Sequence, residues 1–271
     1  MPRRRFLQLA GGAGLSASSP TWPKPLVRPG NGFWPNGARA AVSFTYDDGR
    51  DSQIDVAALD LEYFGCRGTF FVNPNQYSAD ARKSEWKLMS RLGHEIGNHT
   101  MNHRRDYATP SEFEKVEVAT AEQWINENIV FDEERTFAYP YGTTKLLNGT
   151  DYSNVLNGVV LAARTGGGPV ANAADAKQNP MQIPGQASTY SVKLNERTAH
   201  QSIQNINDAV SVRGGWAILI FHDVLENPDL NNPSHTSRSV HREIIKYSSR
   251  SENKFWVAPF REVFRYAVLH A

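Results

Sequence analysis

The sequence predicts an α/β protein whose parallel sheet closes, fully or in part, into a barrel. Strand-like and helix-like segments alternate from Phe33 onward, without a second linker or an internal repeat. Such alternation produces a parallel sheet with crossover helices. Two strand-like segments, 158–164 and 216–224, are nearly all apolar, as strands covered on both faces are. Polar residues follow the ends of several strands, where barrel proteins carry their chemistry.

Six strand candidates are apolar, β-branched or aromatic runs. They are AAVSFTY (40–46), GTFFVN (68–73), HEIGNHT (94–100), TFAYPYG (136–142), GVVLAAR (158–164) and WAILIFHDV (216–224). Four helix candidates have apolar residues near helical spacing or a start signal. They are QIDVAALDLEYFG (53–65), SEWKLMSRLG (84–93), TPSEFEKVEVATAEQWINENI (109–129) and FREVFRYAVLH (260–270).

Residues 1–32 are interpreted as an export signal and a linker, and residues 33–271 as one folded domain. The start MPRRRFLQLAGGAG joins three arginines to a weakly apolar Gly/Ala run, which is typical of an export signal of the twin-arginine type. This predicts a periplasmic or extracellular location; the alternative is a disordered basic tail. We expect no integral membrane segment, because no run reaches about 20 apolar residues.

Composition excludes two features. The formal net charge is +1, which argues against a protein that grips the phosphates of nucleic acid. Cys66 is the only cysteine, so no intramolecular disulfide can form. With 40% hydrophobic and 21% charged residues, the chain can bury an ordinary globular core.

Titratable side chains stand at the predicted strand ends. The first strand ends in Asp47 and Asp48, followed by Gly49, and because side chains alternate along a strand the two carboxylates need not do the same work. The other strand ends carry HTMNH (99–103), YPYG (139–142), Arg164, and His222 with Asp223. Groups from at least five strand ends could therefore converge on one mouth.

His99 and His103 are four residues apart, a spacing that places two imidazoles on one face of a helical turn. Two histidines and one aspartate from another strand form a three-ligand site with open positions, which is typical of a catalytic metal. Zinc is the first candidate, and cobalt or nickel are alternatives because they also accept imidazole and carboxylate ligands.

TYDDG, HTMNH, YPYG and IFH, in this order and at roughly this spacing, resemble the motifs of the polysaccharide deacetylases, carbohydrate esterase family four. The resemblance extends from about Phe33 to the C-terminus. It implies a distorted (β/α) barrel of about seven parallel strands and metal-dependent removal of acetyl groups from sugars.

The resemblance also implies a role for each motif residue. Asp48, His99 and His103 would hold the metal, and Asp47 would be the general base that deprotonates water. The backbone N–H of Tyr141 would help to bind the oxyanion. His222 would protonate the leaving amine or alcohol.

Two departures from the family pattern are visible. The family often has an arginine two residues before Pro-Tyr-Gly, where this chain has Ala138, and the usual Asp-and-Trp motif before the last strand is missing. We hypothesise that Arg164 supplies the missing guanidinium; the alternative is a solvated strand-end arginine. Asp223 is a poor substitute for the missing aspartate, because adjacent strand residues point apart.

The prediction is therefore a metal-dependent deacetylase that acts on an acetylated carbohydrate. The alternative is a carbohydrate-binding protein with impaired catalysis, suggested by the two departures. A serine hydrolase is disfavoured, because no Gly-x-Ser-x-Gly motif occurs. The sugar, the choice between N- and O-acetyl groups, the native metal and the oligomeric state stay open. His235 and His241 lie in a polar stretch interpreted as a loop leading into a helix.

Overall fold

The computed structural model describes residues 32–132, 134–187, 199–229 and 231–271. The predicted export signal lies outside these residues, apart from position 32. Within the described residues, no helix is both long and apolar enough to cross a membrane.

A closed barrel is formed by seven of the eleven strands in the described part of the chain. The eleven strands are β1 (Ala40–Asp48), β2 (Thr69–Val72), β3 (Glu95–Asn98), β4 (Phe137–Ala138), β5 (Ala163–Gly166), β6 (Ala171–Asn172), β7 (Ile183–Ala187), β8 (Gly215–Phe221), β9 (Asp223–Leu225), β10 (His235–Ser237) and β11 (Phe255–Val257). The barrel order is β1-β2-β3-β4-β5-β7-β8, all neighbours are parallel, and β8 pairs back to β1. This confirms the predicted barrel of about seven parallel strands.

The described part of the chain contains eight α-helices. They are α1 (Ala58–Tyr63), α2 (Lys83–Arg91), α3 (Pro110–Phe113), α4 (Thr120–Asn128), α5 (Ala173–Gln178), α6 (His200–Val210), α7 (Arg238–Ser249) and α8 (Phe260–His270). The π-helical segments Gln53–Ala57 and Glu114–Ala119 lead into α1 and α4. Thr109 caps α3 by accepting a hydrogen bond from the backbone N–H of Glu112.

Two strand predictions need correction. The apolar run 158–164 contributes only its end to the sheet, since β5 begins at Ala163 and the preceding residues turn around Gly158. Barrel strand β7 was not predicted, because its sequence IPGQA contains Pro184 and Gly185, which disfavour strands. Gly185 has a packing reason, because a Cβ there would lie 2.9 Å from the Arg164 side chain.

Strand β1 separates two parts of the core. Val42, Phe44 and Tyr46 belong to the layer between the barrel and its helices. Ala41, on the opposite face, packs with Phe71 in a separate cluster. Because side chains alternate along a strand, Asp47 follows the face of Ala41 and lies opposite Tyr46.

Candidate active site and metal centre

The carboxyl end of β1 places two aspartates in different environments. Asp47 is in regular strand register opposite Phe71, whereas Asp48 has a φ of 82° and turns the chain into Gly49. Gln53 secures this end, because its Nε2 donates to the backbone oxygens of Asp47 and, at 3.2 Å, of His222. The amide therefore links the end of β1 to the end of β8.

His99 and His103 lie in a loop after β3, and the helical turn considered for them does not form. Thr100 and His103 adopt left-handed backbone angles, with φ of 68° and 57°. Thr100 Oγ1 accepts from the His103 N–H at 3.0 Å, and Asn98 Oδ1 accepts from the Thr100 N–H at 2.8 Å. This turn still brings the two imidazole rings to 4.8 Å between centroids.

The two histidines and Asp48 form a three-donor cluster. Asp48 Oδ1 lies 3.5 Å from His99 Nε2 and 3.7 Å from His103 Nε2. The donor atoms of all three residues lie within 4.8 Å of one another. His99 Nδ1 donates to the Ala138 carbonyl at 2.8 Å, so that in the neutral imidazole the lone pair of Nε2 faces the cluster.

Charge in the cluster favours an ionised carboxylate. Burial alone would raise the pKa of Asp48, but the hydrogen bond and charge of His99, then the charges of His222 and Arg50, hold it below the usual value. Burial and the charge of His99 lower the pKa of His103 to about 4, so its imidazole is neutral at pH 7. Burial also opposes charging of His99, but Asp47 and Asp48 outweigh it and raise its pKa.

Asp47 is paired with Arg164 inside the barrel. Arg164 Nη2 donates to Asp47 Oδ1, and Arg164 is only 1% exposed, which rules out a solvated arginine. The guanidinium carbon lies 5.2 Å from the centre of the Phe71 ring. Burial would raise the pKa of Asp47, but the charges of Arg164, His99 and His222 lower it. The carboxylate is therefore ionised at neutral pH.

His222 follows β8 and faces the same cavity. Burial lowers its pKa despite the charges of Asp47 and Asp48. Its Nδ1 atom is buried and has no hydrogen-bond partner within the described part of the chain. Asp223 does not fill that place, because its carboxylate accepts from Ser52 and Arg50 instead.

Tyr141 stands at the rim of the cavity. Its backbone is left-handed, with a φ of 58°, and its ring is packed 4.5 Å from His103 and is 67% exposed. The following Gly142 approaches Gly166 so closely that a Cβ on Gly142 would lie 2.5 Å from its backbone. Only glycine permits this contact, which fixes the YPYG turn against the end of β5.

One cavity of about 640 Å³ collects all the predicted residues. Its lining includes Asp47, Asp48, His99, His103, Tyr141, Arg164 and His222. Arg50, Gln76, Tyr77 and Ser234 also line it and were not predicted. Arg50 directly follows TYDDG and could have been noticed from that position alone, whereas Tyr77 and Ser234 carry no sequence signal.

The closed parallel barrel, with an Asp/His/His cluster and a buried carboxylate at its mouth, defines a β/α-barrel protein with a candidate metal site. Residues 35–154 match the model of the polysaccharide deacetylase family. This part of the chain is therefore similar to the polysaccharide deacetylases, as its motifs predict. The match contains the three candidate metal ligands, whereas Arg164 and His222 lie beyond it.

Two similar proteins carry different named activities. The chain is 35% identical over 102 residues to a peptidoglycan-N-acetylglucosamine deacetylase of Bacillus cereus, which covers 33% of this chain and 44% of that protein. It is 23% identical over 261 residues to a gellan lyase of a Bacillus species, covering 91% of this chain and 10% of that protein. The chain thus spans less than half the length of either relative.

The fold is shared with a protein of Mycobacterium smegmatis assigned to the polysaccharide deacetylases. The two have a TM-score of 0.61 at 16% identity, over 86% of this chain and 92% of the other. At this identity the likeness concerns the fold alone.

Proposed function

We propose that this chain is an exported, metal-dependent hydrolase that removes acetyl groups from a carbohydrate. One observation carries the proposal: seven residues predicted from separate strand ends line a single cavity. Within it, a cluster able to hold a cation lies beside a buried carboxylate that is ionised by its arginine partner. The basic, Gly/Ala-rich start of the sequence supports export.

The donor set fits a divalent metal. It comprises one carboxylate oxygen and two Nε2 atoms, one of them oriented by the Ala138 carbonyl. Zinc, cobalt and nickel all accept such ligands. When bound by Asp48, His99 and His103, the cation would supply Lewis-acid polarisation and lower the pKa of water.

The remaining residues divide the proton transfers and the charge stabilisation. Asp47 takes a proton from the attacking water, and Arg164 keeps it ionised and oriented. The backbone N–H of Tyr141 donates to the oxyanion. His222 gives a proton to the leaving amine or alcohol.

Aromatic rings at the rim support a sugar substrate. Tyr77 and Tyr141 line the cavity and are 40% and 67% exposed. Exposed tyrosines combine an apolar face with a polar tip, which suits the faces and hydroxyl groups of a pyranose. Acetylated chitin oligomers, peptidoglycan and acetylated xylan are therefore the substrates to test.

The test is acetate release by the purified full chain from these three substrates. The protein is stripped with a chelator and then reloaded with zinc or cobalt. We expect stripping to abolish release and reloading to restore it. His103→Gln should remove both metal binding and activity, whereas His270→Gln, an exposed C-terminal histidine, is the matched control and should leave both unchanged.

The unpartnered Nδ1 of His222 favours one second candidate, a carbohydrate-binding protein with impaired catalysis. An imidazole without an orienting partner is a weaker acid catalyst. Binding of one of the sugars without acetate release, by protein that demonstrably holds metal, would favour this candidate. Absence of metal binding would overturn the site assignment itself.

A further inference from the structure

Arg50 binds one of the two carboxylate oxygens of Asp48 and leaves the other to the histidines. Its Nε and Nη2 donate to Asp48 Oδ2 at 3.0 and 2.8 Å. The other oxygen, Oδ1, is the one that faces the Nε2 atoms of His99 and His103. The guanidinium fork thus occupies the outer side of the carboxylate and leaves a single oxygen for the cluster.

Arg50 is itself held from three sides. Its Nη1 donates to Asp223 Oδ2 at 2.5 Å, and Asp223 is fixed in turn by Ser52 Oγ at 2.6 Å. The guanidinium lies 4.6 Å over the Tyr77 ring and donates to its hydroxyl at 3.0 Å. Because Asp223 follows His222 directly, these contacts link the end of β1 to the end of β8.

A lysine could not make the same arrangement. The guanidinium reaches Asp48 with two N–H groups and Asp223 with a third, whereas an ammonium is a compact point charge without a planar fork. The planar geometry, beyond the charge, is what directs Asp48.

A carboxylate bound to a cation through both oxygens occupies two coordination positions, whereas one bound through a single oxygen occupies one. Catalytic zinc sites have three protein ligands and keep a position open for water or substrate. Retaining that open position therefore requires something to hold the second oxygen of the carboxylate away.

We propose that Arg50 is a positioning residue that makes Asp48 a one-oxygen ligand, with Asp223 as its anchor. The inference rests on the proposed metal site. It assigns Arg50 no contact with the reacting atoms.

The test is the visible absorption of the full chain loaded with Co²⁺, whose intensity falls as the coordination number rises. We expect Arg50→Met to lose intensity, because Asp48 then binds through both oxygens. Arg50→Lys should recover only part of it, since it restores the charge without the fork. X-ray absorption of the Zn²⁺-loaded proteins should find one more oxygen neighbour in Arg50→Met than in the wild type.

Arg82→Met is the matched control. Arg82 also binds surface carboxylates, with Nη2 2.7 Å from Asp55 and Nη1 3.1 Å from Asp51, but it does not line the cavity. Its spectrum should equal that of the wild type. Metal affinity does not decide the matter, because removing a positive charge strengthens cation binding whichever way Asp48 coordinates.

Unchanged spectra for folded, fully loaded Arg50→Met would overturn the inference while leaving the metal site intact. Complete recovery by Arg50→Lys would also overturn it, because charge alone would then suffice. If the wild-type chain bound no Co²⁺, the metal site itself would be wrong, and the inference would fall with it.

Discussion

Two polar clusters begin at neighbouring residues of β1, and they differ in how far their polar atoms have hydrogen-bond partners. Tyr46 faces the helices and begins a buried cluster with His241 and Asp60, while Asp47 faces the barrel interior and belongs to the mouth cluster. Both clusters combine aspartate, histidine and arginine. Residue type therefore does not distinguish them.

The buried groups of the cluster under the helices are paired with one another. Tyr46 Oη lies 2.7 Å from His241 Nε2, and His241 Nδ1 lies 3.3 Å from Asp60 Oδ2. Arg238 and Arg242 both donate to Asp60, at 2.8 and 2.7 Å to Oδ1. Asp60 and His241 are both 0% exposed. Among the described residues, the buried polar atoms of Asp60 and His241 all have partners, so this cluster ties α1 and α7 to the barrel.

The mouth cluster is incomplete by comparison. The imidazoles of His99 and His103 stand 3.5 and 3.7 Å from Asp48 Oδ1, and the cavity opens in front of them. His222 keeps an unpartnered Nδ1 among the described residues. The two clusters contain the same residue types. A candidate functional site is recognised instead by polar atoms that lack partners and face an open cavity, whereas the polar atoms of a structural cluster are paired.

The largest expected effect is that of Asp47→Asn. Loss of the general base should lower kcat about 10³-fold, because an amide cannot accept the proton. Metal content should stay unchanged, since Asp47 is not one of the three ligands. Acetate release and bound zinc are measured on the same sample, and a fall in kcat of less than tenfold would assign the base to another residue.

Asp60→Asn tests the other cluster. It leaves Arg238 and Arg242 beside a neutral group, and we expect unfolding to become easier by about 3 kcal/mol. Chemical denaturation measures the loss, while metal affinity and activity of the folded protein should be unchanged. A loss of metal binding in the folded variant would contradict the separation of the two clusters.

The same cluster predicts sensitivity to acid. Burial would raise the pKa of Asp60, but hydrogen bonds from His241 and the two arginines lower it to about 2. A carboxyl group with a lowered folded-state pKa stabilises the protein above its unfolded pKa, and this contribution is lost as the pH falls toward 2. The stability of Asp60→Asn should therefore decline less between pH 4 and pH 2 than that of the wild type.

The residues of the mouth cluster could be predicted from the sequence far better than those of the cluster under the helices. Asp47, Asp48 and His222 stand at strand ends, and parallel strands bring their carboxyl ends to one edge of a barrel. Asp60 and His241 are 181 residues apart, and one lies in α1 and the other in α7, so only tertiary packing joins them. The stretch around His241, interpreted as a loop leading into a helix, contains the first turn of α7, in which His241 is buried.

The contacts between individual side chains of the site could not all be predicted from the sequence, because they depend on backbone conformation and on residues distant in the chain. The histidine pair meets through left-handed residues at Thr100 and His103, a conformation that threonine rarely adopts. The pairing of Arg164 with Asp47 is hypothesised from the family arginine missing at Ala138 and from the strand-end position of Arg164, and the structure brings the two side chains together. The position of the Arg50 guanidinium depends on Asp223, which lies across the barrel mouth, and no local pattern in the sequence predicts this contact.

Arg164→Met tests the mouth cluster, where the ion pair of Arg164 with Asp47 is proposed to assist catalysis. The charge of Arg164 is a main cause of the lowered pKa of Asp47, so its removal raises that pKa. Because the base acts when ionised, the acid limb of the pH–activity profile should move to higher pH. We also expect a fall of about tenfold in kcat near neutrality from lost orientation. An unshifted acid limb would show that Arg164 serves packing alone.

The smallest expected effect is that of Tyr46→Phe. The hydroxyl donates to His241 Nε2, and its removal leaves a buried imidazole nitrogen without its partner, which costs about 1 kcal/mol. The ring is retained, so its stacking on Phe70, 4.7 Å away, should persist. Equilibrium denaturation measures the change, with activity as the control. If Tyr46→Phe lowered kcat while leaving stability intact, the two faces of β1 would be functionally coupled, and the division between a structural and a catalytic cluster would be wrong.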